Sequence, residues 1–167
     1  MRLPLVVAVA VVLQGTLAAS ISIDGVHPDL MLAVVVAAGF VSGPSRAALV
    51  GFCVGLVADL FLDTPFGLSA LADVLVGYGV GVVFSGVTEV SAMLIPLAGA
   101  LASGAGVALY AVLGDIVGQS QMMHEHLVRV VVVVGLVNGV IALPARWVLG
   151  WALQAPRRPG VTARRLR

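Results

Sequence analysis

Asp115 is the only charged residue between Ala92 and Val117. A helix needs about 20 residues to cross a hydrocarbon core of roughly 30 Å, so this run is long enough to span a membrane. Five more apolar segments accompany it: Leu3 to Ile21, interrupted by Gln14, Gly15 and Thr16; Leu30 to Val41; Ala47 to Leu62; Leu68 to Val87; and Leu127 to Leu149. In lipid only helices and closed barrels satisfy the backbone, and these segments are too long and continuous for barrel strands, even at valine-rich Val130 to Val134. The expected fold is therefore all-α, a polytopic integral membrane bundle of about six transmembrane helices.

Composition supports this choice of solvent. The chain is 60% hydrophobic and 10% charged, with a mean hydropathy of +1.14. A soluble domain carries roughly 25% charged residues. Its 167 residues leave no room for a second globular domain, so residues 1–154 are expected to form the bundle and 155–167 a basic cytoplasmic tail. The second and third segments are short and separated only by Ser42-Gly43-Pro44-Ser45-Arg46. Two short or tilted spans are expected, with a re-entrant pair as the alternative. Leu17-Ala18-Ala19-Ser20 resembles a signal-peptidase site, but the apolar run continues through it, so a retained first helix is expected.

Arginine placement orients the chain. With the N-terminus inside, Arg2, Arg46, Arg146, Arg157, Arg158, Arg164, Arg165 and Arg167 are cytoplasmic and only Arg129 is outside. Basic bias sets topology, so both termini are expected in the cytoplasm. Arg146, Trp147 and Trp151 read as an interfacial anchor, and Pro144 is expected to kink the last helix or end its regular bonding. The Arg-rich tail suits anionic lipid, at about 1 kcal/mol for each nearby arginine.

The third segment is the richest in possible function. Gly51 and Gly55 share a helix face with Asp59 and Asp63, which joins a bare backbone for close packing to buried acid. A carboxylate at bilayer depth costs about 2.5–3.5 kcal/mol on insertion scales. The topology places Asp59, Asp63, Asp73, Asp115 and Arg129 in the outer third of the bilayer. Two readings stay open: helix caps reaching interfacial water, or an outward-facing polar pocket or docking surface. Asp73 lies deepest and is the hardest to explain as a cap. The small-residue pairs Gly77 and Gly81, Ala102 and Gly106, and Gly135 and Gly139 suit internal packing, with a dimer or partner seam as the alternative.

Enzymatic chemistry has no positive signal. His124 and His126 do not share a helix face and lack a third ligand, so no metal is expected. Gly77-Tyr78-Gly79-Val80-Gly81 lies in a membrane segment, without the strand-to-helix context of a dinucleotide loop. No cofactor is expected and no nucleic-acid partner. Cys53 is the only cysteine and cannot form an internal disulfide.

These residues resemble the rod shape-determining MreD family. The resemblance lies in Leu13-Gln14, Pro28-Asp29-Leu30, the Pro44 and Arg46 turn, then Gly51, Gly55, Asp59 and Leu60. Pro65, Gly67, Leu71 and Gly77-Tyr78 continue it, and Pro144, Arg146 and Trp147 close it. It covers the whole chain in length and topology, and its specific part runs from Pro28 to Gly81. The resemblance implies a non-enzymatic scaffold of the bacterial cell-elongation machinery in the cytoplasmic membrane. Such a protein docks an MreC-like bitopic membrane protein and, through it, the MreB-like cytoskeleton and peptidoglycan synthases. On that reading Gly51, Gly55, Asp59, Asp63, Pro65 and Gly67 are packing or docking residues. Asp73 and the tail have no counterpart in the family pattern. A likeness of the family to substrate-binding subunits of vitamin transporters implies an alternative, a small-solute-binding membrane subunit. The 5% aromatic content favours the scaffold.

Overall fold

The computed structural model describes residues 2–20, 26–62, 64–87, 91, 93–119 and 127–153, and in the first helix only the side chains of residues 4–16. These residues form six helices: α1 (Arg2–Ser20), α2 (Leu30–Ser42), α3 (Pro44–Asp59), α4 (Leu68–Val83), α5 (Leu94–Ile116) and α6 (Leu127–Leu153). Among them α5 and α6 are long and apolar enough to cross a membrane, while α2, α4 and the Pro4–Thr16 part of α1 are shorter apolar helices.

The centre of the bundle is α2. Every residue from Leu30 to Gly39 is buried, and the helix packs against all five others. Its apolar residues run all round it, and a helix of that kind finds its low-energy place inside a fold rather than along one edge. Its 13 residues extend about 20 Å. Val35, Val50, Val54 and Leu149 fill one core cluster around it, and Leu32, Val36, Val76 and Val80 a second.

One residue, Gly43, separates α2 from α3, and its φ of +75° turns the chain where a side chain would be strained. Pro44 then starts α3 with no donor to lose, three residues before the apolar run begins. α3 and α4 lie antiparallel and close together. A methyl group at Gly51 would run into the backbone carbonyl of Asp73, and one at Gly55 into the Ala70 backbone. Further along the same seam, a methyl at Gly77 would lie 2.7 Å from the Ala47 carbonyl oxygen. Gly135 and Gly139 serve the antiparallel α5–α6 pair in the same way, against the carbonyls of Ala100 and Pro96. Gly106 of α5 meets Leu32 and Val76, and Ala102 packs on the second core cluster. The small-residue pairs therefore serve packing within the chain.

Three helix ends differ from the apolar pattern. α3 stops at Asp59 rather than Leu62, because the Asp59 side chain is drawn into a different helix, as described below. α4 stops at Val83 rather than Val87. Phe84 turns edge-on against Phe40, ring centroids 4.7 Å apart, and Gly86 takes a φ of +87°. Pro144 does not end α6, which continues to Leu153. The proline removes one donor from a long helix whose neighbouring turns stay packed through Ala142 and Leu149.

Candidate functional site

Four of the five buried polar side chains among the described residues, Asp59, Ser69, Asp73 and Asn138, lie near where α2 and α4 begin and α3 ends. Asp59, the last residue of α3, is 4% exposed. Its carboxylate accepts hydrogen bonds from the backbone N–H groups of Gly67 at 2.8 Å, Ser69 at 3.0 Å and Ala70 at 3.4 Å. These are free donors of the first turn of α4, so the carboxylate caps a helix that is not its own. The helix dipole adds to the attraction. Gly67 takes a φ of +99°, which aims its N–H at the cap. The connecting loop is anchored by Tyr110 of α5, whose hydroxyl donates to the Thr64 hydroxyl at 3.2 Å, and by Leu68 N–H donating to the Pro65 carbonyl at 3.2 Å.

A second polar knot fixes the start of α2. The Gln14 amide of α1 donates to the Pro28 carbonyl at 3.0 Å and accepts from the Leu30 N–H at 2.8 Å. Asp29 caps α2 by accepting from the Leu32 N–H at 3.0 Å. Its backbone carbonyl accepts from the Asn138 amide of α6 at 2.8 Å. Asn138 is 1% exposed, and its other amide atom, Oδ1, has no partner among the described residues.

Between these knots lies a cavity of about 560 Å³. Its wall is mostly apolar, from Val11, Met31, Leu32, Phe61, Val107, Val130 and Val134 among others. The polar side chains in it are Gln14, His27, Asp29, Ser69, Asp73 and Tyr110. Asp73 is 8% exposed and makes no hydrogen bond or ion pair to any described residue. Ser69, one helical turn earlier on the same face of α4, has a buried hydroxyl equally without a partner among the described residues.

The structure thus draws Asp59 and Asp73 together and leaves Asp115 and Arg129 at exposed positions that do not line the cavity. Arg129 has a partner of its own. Asp63, the His124-Glu125-His126 stretch and the Arg-rich tail lie outside the described residues. Arg146, Trp147 and Trp151 come together with Phe40 and Leu143 around a groove of about 680 Å³ elsewhere on the bundle. Sequence reading did not single out Asn138, Ser69 or Tyr110. Asn138 carried a usable signal, a lone amide between Gly135 and Gly139 in an otherwise apolar run. Ser69 and Tyr110 had none, because their significance comes from the cavity.

No family model, no curated protein and no solved structure matches this chain.

Proposed function

We propose that this chain is a multi-pass protein of the bacterial cytoplasmic membrane with both termini in the cytoplasm, and a non-enzymatic scaffold of the cell-elongation machinery. It would dock an MreC-like bitopic protein and, through it, couple an MreB-like cytoskeleton to peptidoglycan synthesis. One observation supports this reading above others: residues of the MreD-like pattern sit at contacts that hold the bundle together. Gln14 ties to Pro28 and Leu30, Gly51 and Gly55 seat α3 on α4, Gly77 meets Ala47, and Asp59 caps α4 at Gly67.

The membrane setting has its own support. Leu97, Leu101 and Ile116 of α5 and Val128, Leu136 and Val140 of α6 face outward, while Asp59, Asp73, Ser103 and Asn138 are buried. Large contiguous apolar surfaces of this kind are a liability in water and at home in lipid or against partner helices. Reporter fusions after Gln154 and within 120–126 test the orientation, with cytoplasmic and exterior signals expected respectively.

The cavity favours a second reading, a small-solute-binding membrane subunit, because buried concave sites with a few converging polar groups are where small ligands bind. Co-purification of the native complex separates the two. Wall-elongation proteins are expected; an energising ATPase module in their place would overturn the scaffold.

A further inference from the structure

We infer that the cavity between α1, α2, α4, α5 and α6 is a binding site for an organic monocation: a primary ammonium on an apolar body, held by Asp73. The inference goes beyond the scaffold reading and stands or falls independently of it.

Two acids, Asp29 and Asp73, line the wall. Asp29 already accepts a capping bond from Leu32, whereas Asp73 has no partner among the described residues although it is nine-tenths buried. A buried carboxylate without a partner is expensive, and it is relieved either by a proton or by a cation beside it. Among the described residues the wall holds no Lys or Arg, and His27 is exposed and engaged with a partner of its own. An ammonium group carries three donors and no acceptor, so it matches the Asp73 carboxylate, which can only accept.

Size and lining decide which cation. The volume of about 560 Å³ lies in the range of roughly 300–1,000 Å³ typical of small-molecule sites. Most of the wall is aliphatic or aromatic, including Val107, Val130, Val134 and Phe61. Calcium requires six to eight oxygen ligands. Among the described residues no three His, Cys, Asp or Glu side chains gather to hold a metal. A bare inorganic ion would use the acid and waste the apolar wall. An amine with an apolar body uses both.

Isothermal titration calorimetry on the full chain in nonionic detergent micelles tests this, with empty micelles subtracted. The probes are phenethylammonium chloride, its neutral counterpart phenethyl alcohol, and ammonium chloride. Saturable binding of phenethylammonium is expected, with both other probes at least about tenfold weaker, the effect of losing the charged contact or the apolar one. Asp73→Asn should weaken phenethylammonium binding by a similar factor, about tenfold or more, without changing gel-filtration behaviour or helix content. Val130→Trp, which leaves every charge in place and occupies part of the cavity, should weaken it as well, and decides the matter if Asp73→Asn does not fold. Equal affinity for the alcohol, equal affinity for ammonium chloride, unchanged binding in the folded Asp73→Asn or Val130→Trp protein, or no saturable binding to folded wild type would each overturn the inference.

Discussion

Asp59 and Asp73 sit on adjacent antiparallel helices and are buried almost equally, at 4% and 8% exposure, but their surroundings differ in kind. Three backbone donors of α4 converge on Asp59. Asp73 faces a cavity and meets no donor among the described residues. Burial alone therefore does not separate a structural acid from an available one; the hydrogen-bond inventory around it does. Asp59 belongs to the seam where α3 and α4 approach backbone to backbone. Asp73 faces the cavity, whose wall is shared with residues of α1, α2, α5 and α6.

The contrast breaks most readily at the seam. Gly55→Leu puts a branched side chain where even a methyl group meets the Ala70 backbone, and rigid backbone cannot give way as a side chain can. The expected loss exceeds about 3 kcal/mol, above the usual range for overpacking. The readout is loss of monodisperse protein in detergent, and normal elution and melting would show that α3 and α4 are not held this closely. A smaller effect is expected from Asp59→Ala. It frees the first-turn donors of α4 inside the protein, at a cost of about 1–3 kcal/mol. Hydrogen exchange at Gly67, Ser69 and Ala70 should accelerate, whereas unchanged protection there would mean that the cap does not form. Tyr110→Phe is the mildest. The Tyr110–Thr64 bond is long at 3.2 Å and only partly buried, so its removal should cost no more than about 1 kcal/mol. A drop in melting temperature as large as that of Asp59→Ala would show that the loop anchor, rather than the cap, holds the start of α4.

Much of the helical plan was legible from hydropathy alone. All six apolar segments became helices, and α2 is reproduced to within a residue because Asp29 and Gly43 bound it with a cap and a turn. The ends of α3 and α4 were not legible, since each depends on a contact remote in sequence. Asp59 reaches residues eight to eleven positions ahead, and Phe84 packs on Phe40 of another helix. The glycine stripe was visible as a stripe, but not the surface it meets; spacing reveals that a helix face is bare without revealing which helix covers it. The acids likewise could be placed at a shared depth, while their separation into one capped and one open carboxylate depended on how the loop before α4 folds back.

Melting temperatures of two isosteric variants, Asp59→Asn and Asp73→Asn, measured side by side on the full chain in the same detergent without added amine, test the central contrast most directly. At position 59 the amide can present only one oxygen to donors that now engage two, so an N–H group is set against N–H groups and stability should fall by about 1–3 kcal/mol. At position 73 no bond to a described residue is lost and the amide has no charge to bury, so the melting temperature should hold or rise. A stable Asp59→Asn protein beside a destabilised Asp73→Asn protein would contradict the assignment of one acid to the fold and the other to the cavity.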